Sequence, residues 1–188
     1  MVNTLRVLLA AVFFTSSAHA ELLLTPSVLE YELDGVKLKQ LAFEDGAKTV
    51  TYQAPHGWTV QGGATRLTLR APNKQQVDAT ITRIPAPHPE ILNDEGMAKL
   101  LAQALADLPK GSVDAAVTSQ EKNPLKIQGK GTFLVTLTYT LYAQQYCRSI
   151  LFLNRAEDQI RSQLTCRAAD FRELQQVFLA SQYSWQNL

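Results

Sequence analysis

Two cysteines, two histidines beyond the first twenty residues and three acidic pairs are the groups with which this chain could do chemistry. Their spacing argues against most catalytic readings. His56 and His88 sit in separate Pro-containing stretches. A zinc site needs three or four ligands with local spacing, so no metal site is expected. The pairs Glu44-Asp45, Asp94-Glu95 and Glu157-Asp158 could suggest paired-carboxylate or calcium chemistry. The first and third fit turns and the second a helix start, where such residues are ordinary. No serine lies in a G-x-S-x-G elbow, and Ser112 merely follows Gly111. Gly62-Gly63 falls short of a phosphate-binding loop. No catalytic residue and no cofactor are assigned, and the expectation is a non-enzymatic protein. A hydrolase with a dispersed active site is the enzymatic alternative.

Cys147 and Cys166 carry a geometric argument. The segments 146–153 and 159–166 read as strands around the polar turn 154–158. If Leu153 faces Ile160, Leu151 falls opposite Ser162, Ser149 opposite Leu164, and Cys147 opposite Cys166. Strand side chains alternate, so all of these share one face. Directly opposed Cβ atoms are spaced for a disulfide. Closing so short a loop is worth about 3 kcal/mol on the chain-entropy model. A reactive redox pair is the rival, but its usual C-x-x-C spacing is absent.

Trp58, Tyr183 and Trp185 fit two roles. They serve as core aromatics, or they edge a groove for a ligand or protein partner. The second role makes them the candidate binding residues.

The elements that position these groups alternate between strand and helix patterns. The opening twenty residues are set apart. Arg6 is their only charge, Val7–Phe14 is apolar, and Ala18-His19-Ala20 closes the stretch with small residues at the cleavage positions. Crossing a bilayer takes about twenty apolar residues, so 1–20 reads as a cleaved signal peptide. Residues 21–188 then form one domain, periplasmic or secreted, with no transmembrane span. Such a compartment preserves disulfides. The chain has 18 basic and 17 acidic residues. Subtracting Arg6 leaves 17 of each and no basic stripe for nucleic acid.

Residues 31–34 read as a short first strand. Leu38–Phe43 and Lys48–Gln53 flank the turn Glu44-Asp45-Gly46. Thr65–Arg70 and 77–82 alternate as half-buried strands. Asn93 caps a helix to Leu108 with the stripe Met97, Leu100, Leu101, Ala104, Leu105 and Leu108. Leu125–Ile127 is a short strand candidate and Thr132–Ala143 a long one. Asp170-Phe171-Arg172-Glu173 has the form of a capping box for a last helix. Consecutive hairpins with interposed helices make an α+β antiparallel sheet flanked by helices.

This layout, with Tyr52-Gln53-Ala54-Pro55-His56-Gly57-Trp58 as strand entry and Ser181-Gln182-Tyr183-Ser184-Trp185 at the close, resembles the PsbP-like family of small exported proteins. The resemblance spans about Val36 to Trp185. It implies an α-β-α sandwich. It also implies a binding or assembly module acting on a protein or cell-envelope partner, because the family and its relatives are mostly such factors. No functional residue carries over. A carrier of a small apolar ligand, held between sheet and helix, is the alternative binding role.

Overall fold

The computed structural model describes residues 21–188, and the expected signal peptide lies outside them. Ten strands and two α-helices follow in order. The strands are β1 (Leu22–Leu33), β2 (Val36–Asp45), β3 (Lys48–Tyr52), β4 (Thr59–Gly63), β5 (Arg66–Arg70) and β6 (Asp78–Pro85), then β7 (Val113–Lys122), β8 (Thr132–Leu141), β9 (Gln144–Asn154) and β10 (Asp158–Arg167). Helix α1 (Asp94–Ala106) joins β6 to β7, and α2 (Ala168–Ser181) follows β10 before a 3-10 turn, Gln182–Ser184.

β1-β2-β3 make a small sheet, and a seven-stranded sheet has the order β4-β5-β6-β10-β9-β8-β7. Every strand pair is antiparallel. This is an α+β fold with helices on both faces. The connection through α1 carries the chain from the middle of the large sheet to its far edge.

Strands β8, β9 and β10 are buried on both faces, as a sheet between helices must be. On one face Leu134, Leu151, Leu153, Ile160 and Leu164 pack with Leu174 and Phe178 of α2 and with Leu22, Phe43, Val50 and Tyr52 of the small sheet. On the other, Phe133, Val135, Leu137, Ile150 and Phe152 pack with Leu100 and Ala104 of α1. Asn93 caps α1 as expected, its Oδ1 accepting from Gly96 N at 2.9 Å.

The other end of α1 is supported by the sheet. Its own last turn has no basic residue. Arg148 of β9 donates through Nη1 to Asp107 O at 2.8 Å and through Nε to Thr165 Oγ1 at 3.0 Å. Arg161 of β10 pairs with the Asp107 carboxylate at 2.6 Å and lies over Phe152. Two guanidiniums thus meet the negative end of the helix.

The structure corrects several boundaries. β1 runs from Leu22, well before the expected 31–34, because Leu22 and Leu24 are buried while Leu23 and Thr25 face out. β7 was not expected at all. β8 stops at Leu141, since Tyr142 and Ala143 turn with φ of 50° and 59°. Both are positive, the geometry of a two-residue hairpin loop without its usual Asn or Gly. Residues 125–127 are not a strand: Leu125 and Ile127 are buried from a loop holding only the bridge Ile127–Lys130. Helix α2 starts at Ala168 with Arg167 as cap, so Asp170 lies in the first turn and binds Lys74 at 2.6 Å instead of capping.

Arg148→Ala deletes a buried guanidinium with its two hydrogen bonds and leaves Asp107 O and Thr165 Oγ1 without that donor. The expected loss is about 3 kcal/mol, read as a lower urea midpoint at unchanged slope. A loss below about 0.5 kcal/mol, the range of neutral surface changes, would show that the arginine does not hold the helix end.

Candidate binding surface

The closing residues of the chain form a latch. Trp185 is buried and stacks on Tyr52, with centroids 4.6 Å apart, and leans on Phe43 at 5.7 Å. Its indole N–H donates to Gln182 Oε1 at 3.2 Å, and Ser162 Oγ donates to the same oxygen at 2.8 Å. Tyr52 hydroxyl donates to Ser181 Oγ at 2.7 Å, which donates to Phe178 O. Burial pushes the Tyr52 phenol well above its ordinary range. Thr51 and Gln186 exchange backbone bonds of 3.1 and 3.0 Å. The latch therefore ties β3, α2 and β10 together.

The three aromatics singled out from sequence do not share one groove. Trp185 belongs to the latch. Trp58 follows a turn in which Gly57 has φ 77° and Trp58 N bonds Pro55 O at 3.0 Å. Its indole lies parallel to Phe178 at 6.2 Å, half-buried, and walls a surface cleft of about 410 Å³ with Val28, Leu41, Pro55 and Val60. Tyr183 is 63% exposed and edges a different hollow, against Leu125, Leu134 and Leu179.

The acidic pairs separate as well. Asp94 and Glu95 open α1. Asp45 and Asp158 are buried, and Arg155 reaches both, at 2.8 and 3.2 Å. Burial raises the Asp158 carboxyl, while Arg155 and Arg83 oppose the shift. No group of three or more His, Cys, Asp or Glu side chains suited to a metal occurs among the described residues. His56 and His88 are exposed and line separate clefts.

The edges of the sheets differ in one respect that sequence did not show. β1 crosses the β4 edge: Leu24 N donates to Ala64 O at 2.9 Å, and a Cβ on Gly62 would lie 2.4 Å from Leu24 O. Gly62 is thus required by close backbone approach. The β3 edge takes Gln186. β7 ends the large sheet, paired to β8 alone. Nine of its ten residues are exposed, on both faces. It carries two register shifts, yet Ala115–Gln120 has neither charge nor proline. At that side of the molecule Tyr142 is 89% exposed and Val113 and Val117 are also open.

Cys147 stands opposite Cys166, as the face argument required. Both are buried and unbonded in this structure. Burial pushes both thiols up, Cys166 to about 12 with Cys147 beside it as a second cause. Little thiolate exists at neutral pH, which suits a structural pair better than a reactive one.

No protein-family model matches the chain, and no curated protein matches it in sequence. Its fold is matched by the solution structure of cyanobacterial PsbP from Synechocystis sp. PCC 6803, at 12% identity over 94% of this chain and 97% of that one, with a TM-score of 0.53. A protein of unknown function from Pseudomonas aeruginosa is similar at 13% identity over 84% and 94% of the two chains, TM-score 0.47. A Bacteroides thetaiotaomicron protein follows at 9% identity, 73% and 44% coverage, TM-score 0.45. The first of these shows that the chain has the PsbP-like fold; at these identities the likeness is one of fold alone.

Protein recovered from an oxidising compartment should weigh two hydrogens less than its sequence and take up no thiol reagent after denaturation. Paired Cys147→Ser and Cys166→Ser should cost about 3 kcal/mol. Two titratable thiols in the exported protein would refute the bridge.

Proposed function

We propose that residues 21–188 are an exported, non-enzymatic binding module that takes an extended segment of a protein partner along β7. The open edge is the observation that carries this reading. A strand paired on one side leaves alternate N–H and C=O groups aimed outward, and natural edges are usually covered or guarded by charge, proline or bulges. Here β1 lies across the β4 edge and Gln186 bridges the β3 edge, whereas β7 is guarded by its two register shifts alone, with neither charge nor proline in 115–120. Backbone hydrogen bonds to an added strand supply affinity, and its alternate side chains supply choice. Export is supported by the leader pattern of residues 1–20. No helix among the described residues is long and apolar enough to cross a membrane.

A second reading follows from the Trp58 cleft. Both sheet–helix interfaces are filled by packed side chains, so a small apolar ligand would be held at this surface instead. Its volume of about 410 Å³ falls in the range of small-molecule sites.

A photo-crosslinking side chain at Ala115, carried through export in the native host, should yield one dominant polypeptide adduct. The same group at Ala102, on the exposed side of α1, should yield none. Val117→Lys should reduce the Ala115 adduct about tenfold. Equal labelling at both positions, or no adduct at Ala115, would overturn the β7 reading.

A further inference from the structure

The hollow edged by Tyr183 adjoins the last residues of β7. Glu121 of β7 and Leu134 of β8 stand opposite each other in the ladder, and both line it. Leu134 lies on the α2 face of the sheet, in the same buried cluster as Leu125. Gln175 of α2 reaches across that face, its Nε2 donating to Thr136 Oγ1 at 3.4 Å. Leu179 and Tyr183 complete the wall on the helix side. The hollow therefore sits in the angle between the sheet edge and α2, with a volume of about 330 Å³. Leu125 and Leu134 are buried, whereas Tyr183 stands open at the rim. Among the described residues Glu121 is the only charge in the wall, and its carboxylate accepts from Ser119 Oγ at 2.8 Å, along its own strand.

Two separate features thus meet. From Ser119 to Lys122 the register of β7 with β8 is unbroken, so the outer edge there has the regular spacing that an added strand needs. Such a strand runs about 4.8 Å outside β7. Every second side chain on it faces the α2 side. A small one stops beside Glu121. An aromatic or long apolar one reaches diagonal neighbours about 7–8 Å away, and beyond Glu121 that neighbourhood is the hollow.

We propose that the segment taken up along β7 carries a bulky apolar side chain, aromatic or Leu-sized, which passes over Glu121 and seats in this hollow. The proposal rests on the reading of β7 as an open edge and adds what that edge selects. Backbone pairing accepts almost any sequence; a pocket beside the edge accepts one side chain in alternate register. Seating it removes the open rim of Tyr183 and Leu179 from water, and buried anchors of this kind carry most of an interface's affinity. A second copy of the chain does not supply the anchor through β7 itself. It would bring Ala115-Ala116-Val117-Thr118-Ser119-Gln120 to the edge, none of which has an aromatic or Leu-sized apolar side chain. The occupant is a segment of a different polypeptide.

The test places a photo-crosslinking side chain at Gln176, an exposed α2 position lining the hollow, for comparison with the one at Ala115 in the same exported chain. Both should label the same polypeptide, within one short segment that holds an aromatic residue, Leu, Ile or Met. Ala180→Glu sets a charge in the hollow from the exposed side of α2 and leaves β7 untouched. It should cut the Ala115 adduct about tenfold, since an unpaired charge against apolar surface costs at least that factor. Its urea midpoint should not change, and Ala180→Ser should leave the adduct at the parent level. An undiminished Ala115 adduct in Ala180→Glu, with no adduct from Gln176, would overturn the hollow while the edge stands. A shared segment without a bulky apolar residue, or an adduct of twice the chain's own mass, would overturn the proposed occupant. No adduct at Ala115 in the parent chain would overturn the edge itself, and the anchor with it. If Ala180→Glu does not fold, the Gln176 adduct decides, since it replaces only an exposed side chain.

Discussion

Double-sided burial of β8, β9 and β10 is the constraint on which the rest of the molecule depends. Side chains of β8 and β9 alternate between two apolar clusters, and β10 adds Ile160, Leu164 and Cys166 to one of them, while its other face holds the buried Thr165 and the partly buried Arg161 and Gln163. One helix must therefore lie on each side, and the sheet must be entered from both ends of the chain. That forces the long connection through α1, from β6 to β7. The helix covers only the part of its face where Phe133, Val135, Ile150 and Phe152 project. Nearby, the same face turns polar with Arg148, Arg161 and Thr165, and the two arginines hold the helix end.

The small sheet is attached by aromatic stacking and a short chain of buried hydrogen bonds. Trp185, Tyr52, Gln182 and Ser181 join the last residues of the chain to β3, α2 and β10. Such networks are stabilising only when their members are satisfied, and these are. The aromatics there are committed to structure. What remains for recognition lies outside the latch: the β7 edge, the exposed Tyr142 and the cleft beside Trp58.

Much of the architecture was legible because it rests on alternation. The register of β9 with β10 followed from making one face apolar, and it placed Cys147 opposite Cys166. Asn93 and the α1 stripe followed from capping and helical period. The misses have separate physical causes. β7 buries neither face, so it leaves no periodic signal. Tyr142-Ala143 takes a turn geometry that its residue types do not announce. Asp45 and Asp158 look like turn residues in sequence; only the tertiary fold brings Arg155 to Asp45 and Arg83 to Asp158. Asp170 has the spacing of a cap, but the helix begins two residues earlier and Lys74 claims its carboxylate. Among the candidate groove residues, sequence could not separate Trp185 in the core from the exposed Tyr183 two positions before it.

The central claim is that β7 is an edge left open on a sheet whose middle is closed on both faces. Amide hydrogen exchange on the isolated domain tests this most directly. Amides of β8, β9 and β10 should exchange only through global opening, while alternate amides of 115–120 should exchange close to the rate of unstructured chain. Uniform strong protection along β7 in the isolated protein would contradict the account, because it would mean that the edge is already paired.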